Sequence, residues 1–195
     1  MSVLEIKSKI GIDELLGELR QLDATTLDYL VTSLQEEQQK RLEQPAKKME
    51  ITQFWVLIDK IDWSQTKGLT ILEPLVNAVA LLPISEIYQF SERLADLLHQ
   101  LDGPDFAKAL EEDPMGYSAD TFLYARCFAL AKGQAFYENV LSKTTPLPAA
   151  YLESLLSVAD KAYTQKTGKS YQYTPSTIYE SFFNKDLWGE QAITI

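Results

Sequence analysis

The chain has 195 residues, 46% of them hydrophobic, and its formal net charge at pH 7 is −10. A chain of this length and composition can bury a core, which excludes intrinsic disorder and a collagen-like helix. The negative charge opposes binding to nucleic acid, so we expect no nucleic-acid ligand. A single cysteine, Cys127, excludes an internal disulfide, so we expect a cytoplasmic protein.

The composition favours helices over strands. Leu occurs 28 times and Val only 7 times, with 8 Gly and 8 Pro. Because straight-chain residues keep their rotamer freedom in a helix, this balance is typical of a helical protein rather than a turn-rich sandwich. We predict an all-α fold in which a small N-terminal helical hairpin with a polar linker, residues 1–48, precedes a helical bundle-like domain, residues 49–195.

The N-terminal hairpin is predicted from the spacing of apolar residues in two short segments, 12–22 and 23–34. Asp23 and Thr25 at their junction are suitable N-cap residues, and the sequence after Leu34 is polar up to a linker near Pro45. Chains of about 40 residues seldom fold alone, so the hairpin must dock, either on its own helical domain or on a second copy; we favour a homodimer. Its apolar positions are Leu15, Leu16, Leu19, Leu22, Leu27, Leu30, Val31 and Leu34.

Three further helices are predicted between residues 50 and 101. The first begins at a Thr52 cap, and the second has Thr70 and Glu73 at the spacing of a capping box. Pro83 separates the second helix from the third, which ends at Asp102. The short connections imply antiparallel neighbours in a bundle. No apolar run reaches the roughly 20 residues that a bilayer requires, so we expect no membrane span.

The second half of the domain is predicted to hold a short helix near 105–113, two longer helices and a tail. Ser118 caps a helix over 118–141, in which Gly133 predicts a kink or close packing. A helix over 151–167 stops at Gly168. The residues from 169 onwards are rich in aromatic side chains and have no helical period. We therefore expect a tail packed along the bundle.

Several segments resemble a known bacterial family. The residues that carry the resemblance are Phe54, Trp55, Ser118, Asp120, Phe122, residues 124–126, Gly133, Glu180 and Trp188. Over residues 51–190 the chain resembles the family catalogued as domain of unknown function 4240. Ala119 stands where the family pattern has the first Asp of a Ser-Asp-Asp-x-Phe turn, which argues against a two-carboxylate site. The resemblance implies a helical domain and carries no assigned activity.

The sequence lacks the residues that a metal site or an activated nucleophile needs. The one histidine, His99, and the one cysteine cannot supply the usual four ligands of a zinc site. The acidic run over 102–113 lacks the alternating spacing of a calcium loop, and Cys127 lies among apolar neighbours with no histidine nearby in sequence. We expect no cofactor and no metal.

The candidate contacts for a ligand or partner are Ser118, Asp120, Arg126 and Trp188. Ser118 and Asp120 stand at a helix start, where capping alone explains them. Asp120 and Arg126 are six residues apart and project about 120° from each other around the helix axis, so only the fold could join them into a site. Trp188 belongs to the aromatic tail, whose side chains either complete the core or line a groove.

The function that these observations favour is a cytoplasmic protein-binding or adaptor domain without catalytic activity. Residues 51–117 hold 11 acidic and 4 basic residues, which suits a basic partner protein. The alternative is a hydrolase or divalent-cation-dependent enzyme with a carboxylate and arginine site around Asp120 and Arg126. The alternative requires those two residues and the acids at 111–113 to converge on one pocket.

Overall fold

The computed structural model describes residues 17, 19–43, 47–65, 70–111 and 117–191. The described residues form helices and connecting segments without a β-strand, which confirms the all-α prediction. Contacts within the chain divide it into two compact units, Met1–Gln44 and Pro45–Ile195. No helix in the described ranges combines the length and the apolar character that crossing a membrane requires.

The first unit contains helix α1, Ala24–Glu43. Asp23 caps it as predicted, because its carboxylate accepts hydrogen bonds from the backbone N–H and the hydroxyl of Thr26 at 2.9 and 2.8 Å. These bonds lower the pKa of Asp23 below its ordinary value. The predicted helix at 12–22 lies largely outside the described residues.

The second unit begins with helix α2, Ile51–Ile58, followed by a 3-10 turn, Thr70–Leu72, and helices α3, Glu73–Leu81, and α4, Ile84–Gln100. Two predicted caps are wrong. The N-cap of α2 is Glu50 rather than Thr52, and the N-cap of α3 is Leu72, without a side-chain cap hydrogen bond. Pro74 in the first turn of α3 accounts for the second difference, since its fixed φ favours a helix start at that point.

The chain continues through helix α5, Pro104–Ala107, a 3-10 turn, Lys108–Leu110, and helices α6, Ala119–Ala131, and α7, Gln134–Leu141. Gly133 separates α6 from α7 instead of kinking one helix. Its φ of +93° is a conformation that residues with a Cβ rarely adopt, so the helix stops there.

A 3-10 turn, Glu153–Ser157, leads into helix α8, Val158–Thr167, which packs mainly against α3. The predicted stop at Gly168 is confirmed, since this residue is left-handed with φ +69°. The core of the second unit combines apolar residues of α2 to α8, with Phe54 stacked on Phe90 at a centroid distance of 5.1 Å.

The C-terminal segment, residues 169–191, lies along this core. Between 171 and 181 the odd-numbered residues are buried or half-buried and the even-numbered residues are exposed, which is the period of an extended chain. Helix α9, Lys185–Trp188, follows and is capped by Asn184, whose Oδ1 accepts from the N–H of Leu187 at 3.3 Å. The predicted tail therefore includes one short helix that the sequence pattern did not indicate.

Candidate functional site

The N-terminus of α6 holds two of the predicted contacts, Ser118 and Asp120, and both are exposed. Ser118 Oγ accepts from the N–H of Thr121 at 3.1 Å, while Thr121 Oγ1 accepts from the N–H of Ser118 at 2.7 Å. This reciprocal arrangement is a capping box, which satisfies two amides that the helix start leaves open. The capping role of Ser118 is therefore confirmed.

Arg126 lies on the same helix but is fully buried. Its Nη1 donates to the carbonyl oxygens of Leu98 at 2.9 Å and Tyr179 at 3.0 Å, and its Nη2 donates to Ser181 Oγ at 2.8 Å. The Phe122 ring lies 4.6 Å from its guanidinium carbon. Because Asp120 faces solvent and Arg126 faces the core, the two do not form the predicted carboxylate and arginine site.

Asp102, which follows α4, is also fully buried and binds the C-terminal segment through four donors. The backbone N–H groups of Phe182, Phe183 and Asn184 donate to its carboxylate at 2.9, 2.8 and 2.9 Å. The indole N–H of Trp188 donates at 3.0 Å. Consecutive amides that converge on one anion form a nest, and here the anion is a side chain of the same chain.

Glu92 is the third buried charge, in the middle of α4. Its carboxylate accepts from the hydroxyl of Tyr173, from the N–H of Ser176 at 2.8 Å and from Ser176 Oγ at 2.6 Å. Tyr173 in turn stacks on Tyr88 with a centroid distance of 4.4 Å. Glu92 therefore fixes the first half of the C-terminal segment, as Asp102 fixes the second.

These three residues, Glu92, Asp102 and Arg126, form what we call the C-terminal clamp. Burial lowers the pKa of Arg126 below its ordinary value, and the negative charge of Asp102 acts in the opposite direction. The cation binds carbonyl and hydroxyl oxygens at residues 179 and 181, and the anion binds the amides that follow directly. The clamp attaches the C-terminal segment to α4 and α6. Both carboxylates and both Nη atoms of Arg126 form hydrogen bonds, whereas Arg126 Nε is buried without a hydrogen-bond partner among the described residues.

Glu92 and Asp102 were not predicted as important, although α4 contains one relevant signal. Tyr88, Glu92, Ala95 and His99 follow the i, i+4, i+7, i+11 spacing of one helix face, beside the main apolar stripe. His99 Nδ1 lies 2.7 Å from the carbonyl oxygen of Ile178, so this second face contacts the C-terminal segment along its length. A second periodic face on α4, beside the apolar stripe, indicates that this helix packs against one more segment of the chain.

Metal binding and thiol chemistry find little support in the described ranges. There, no three His, Cys, Asp or Glu side chains lie close enough to hold a metal ion. Cys127 is fully buried, and burial raises the pKa of its thiol to about 12, so the reactive thiolate is scarce at neutral pH.

Helix α1 presents an exposed apolar face. Leu27, Val31 and Leu34 recur at helical spacing, and 39%, 45% and 67% of their surface is accessible to solvent. Tyr29 points to the opposite side of the helix and is 71% exposed. Large apolar residues at consecutive turns of one face are typical of a helix that packs against a partner.

The chain matches a known protein family. The sequence profile described as "Protein of unknown function (DUF4240)" matches residues 49–180, more than half of the chain, which confirms the resemblance predicted from the sequence. The matched range includes all three clamp residues and ends before Trp188, and α1 lies outside it. No curated protein and no solved structure matches the chain.

Proposed function

The chain belongs to the DUF4240 family, to which no function is assigned, and we propose that it is a cytoplasmic, non-catalytic protein-binding module whose partner is a second copy of itself, bound through α1. The observation that carries the proposal is the exposed apolar face formed by Leu27, Val31 and Leu34. Burial of such side chains contributes about 25 cal/mol for each Å² removed from water, which favours association.

A second copy suits this face because the apolar stripe is self-complementary. In an antiparallel pair of α1 helices centred between Leu30 and Val31, Leu27 lies opposite Leu34 of the other copy, and Leu30 lies opposite Val31. A parallel pair would instead place Asp23 of one copy opposite Asp23 of the other, and this repulsion favours the antiparallel arrangement. Twofold symmetry then brings the same patch of both copies together.

The charged residues of the second unit support a binding role more than an enzyme. An enzyme around Asp120 and Arg126 would need the guanidinium to reach substrate, but Arg126 is fully buried and its Nη atoms donate to Leu98, Tyr179 and Ser181. Glu111 is exposed, and the other predicted acids, at 112 and 113, lie outside the described residues.

The proposal is tested by measuring the mass of the full chain in solution by light scattering over a range of concentrations. We expect about twice the monomer mass of 22.1 kDa at high concentration. Val31→Asp places a charge in the interface of each copy, so it should weaken association at least about tenfold.

Tyr29→Asp is the matched control, because it adds the same charge to the opposite face of the same helix. It should leave the dimer intact, and both variants should keep the circular dichroism of the parent. A parent chain that stays monomeric at high concentration, or equal weakening by both variants, would contradict the proposal.

A further inference from the structure

A groove of about 340 Å³ lies between α3 and α8, at the lower end of the range of about 300 to 1,000 Å³ typical of small-molecule sites. Leu72 and Val76 supply its apolar lining. Asn77 on α3 and Gln165 on α8 also line it, and Gln165 Nε2 donates to Asn77 Oδ1 at 3.0 Å across the groove. The groove therefore has walls fixed to each other and an apolar surface between them.

The charges in this groove are opposite and lie on opposite helices. Glu73 belongs to the first turn of α3, and Lys161 belongs to α8. Within the described part of the chain, neither side chain has an ion-pair partner, and they do not pair with each other. A ligand that carries both charges could therefore bind both residues without first breaking an ion pair between described residues.

We infer that this groove binds a small zwitterion, namely a free α-amino acid with an aliphatic side chain. The ligand ammonium would donate to the Glu73 carboxylate, and the ligand carboxylate would accept from the Lys161 ammonium. The aliphatic side chain contacts Leu72 and Val76. The side-chain amide of Asn77 can also donate to the ligand carboxylate, and the side-chain carbonyl of Gln165 can accept from the ligand ammonium. This site is independent of the self-association through α1.

Titration of the full chain with L-leucine, L-isoleucine and L-valine tests the inference, by calorimetry and by the NMR signal of the Gln165 side-chain amide. We expect saturable binding of one ligand per chain. N-acetyl-L-leucine lacks the ammonium and L-leucinamide lacks the carboxylate, so each should bind at least about tenfold more weakly than L-leucine. Absence of saturable binding by all three amino acids would overturn the inference.

Two variants test which residue binds the ammonium of the ligand and which binds its carboxylate. Glu73→Gln should abolish the preference for L-leucine over N-acetyl-L-leucine, and Lys161→Gln should abolish the preference over L-leucinamide. The controls Glu111→Gln and Lys185→Gln change exposed residues outside the groove and should leave both preferences unchanged. If Glu73→Gln and Lys161→Gln retain the parent's discrimination while remaining folded, the site is not the one inferred.

Discussion

At the scale of single residues, the strongest contacts are those between buried charges and the C-terminal segment. Asp102 accepts three backbone N–H groups and one indole N–H, so its desolvation is offset by four charge-assisted hydrogen bonds. Phe182 has a positive φ of 74°, which is costly for a bulky side chain. The nest keeps the backbone in that conformation because all three amides face the carboxylate.

Asp102→Asn should lower the free energy of unfolding by about 3 kcal/mol, because an amide removes the charge and turns an NH2 group towards backbone donors. Urea denaturation followed by tryptophan fluorescence measures the loss. Asp105→Asn is the control, since Asp105 is exposed and pairs with Lys143 at the surface. The control should change stability little; an equal effect of the two substitutions would show that the nest contributes nothing specific.

The sequence predicted contacts between neighbours in the chain better than contacts between distant residues. Ser118 is recognisable as a cap because its partner, Thr121, is three residues away. Glu92 and Asp102 bind backbone groups 80 or more residues away. Those amides have no side-chain signature, so nothing in the sequence marks them as partners of an acid. Arg126 is a candidate contact for a ligand or partner by its sequence, but in the fold its partners include two carbonyl oxygens, which composition cannot reveal.

Among the helices, α9 packs closely against the backbone that follows α4, where Leu187 contacts Gly103. A Cβ at Gly103 would lie 2.9 Å from Leu187 Cδ1, closer than real Cβ atoms approach, and 3.0 Å from Leu187 Cβ, which is tighter than most Cβ contacts. Gly103 has a φ of −153°, which any residue adopts, so the close approach of Leu187 rather than the backbone conformation disfavours a side chain here. The contact fixes the position of α9 and, with it, of Trp188.

Gly103→Ala should therefore destabilise the chain by about 1 to 2 kcal/mol through overpacking against Leu187. A double-mutant cycle with Leu187→Ala measures the coupling. The cost of Gly103→Ala should be smaller in the Leu187→Ala background, since that change removes Cδ1 while Cβ stays. If Gly103→Ala destabilises the parent and the Leu187→Ala variant equally, the destabilisation does not arise from contact with Leu187.

Apolar periodicity predicts where the helices lie, whereas the exact helix ends depend on proline and on the backbone conformation of glycine. The stripe of α4 and its start after Pro83 were predictable from spacing and from proline. The start of α3 was misplaced because the Thr70 and Glu73 pattern also fits a capping box, and Pro74 sets the start instead. Because one glycine costs a helix only about 1 kcal/mol, the sequence predicts a kink or close packing at Gly133, whereas its positive φ separates α6 from α7.

At the scale of the whole molecule, counting charges along the chain overstates the acidity of the surface. The region 51–117 contains 11 acidic residues, but Glu92 and Asp102 are buried in the clamp. Asp96 pairs with Lys48 and Arg93, and Asp105 pairs with Lys143. The case for a basic partner is weaker than the sequence suggested, which is a further reason to propose a second copy.

The division of the chain at residue 49 stays a prediction, and a chain that begins at Met49 tests it. Among described residues, the apolar core starts at Met49, whose N–H donates to Gln89 O at 3.0 Å and whose carbonyl accepts from Arg93 Nε at 2.8 Å. Removing residues 1–48 deletes the Lys48–Asp96 pair, but Asp96 keeps Arg93 at 3.1 Å, and partly exposed pairs contribute little.

The shortened chain should therefore keep its helical circular dichroism and unfold cooperatively on heating. It should also have the mass of a monomer in light scattering, because α1 supplies the proposed contact between copies. Unfolding would mean that residues before 49 belong to the main core, which would contradict the boundary. A folded dimer would keep the boundary but contradict association through α1, so the two outcomes separate the domain prediction from the proposed function.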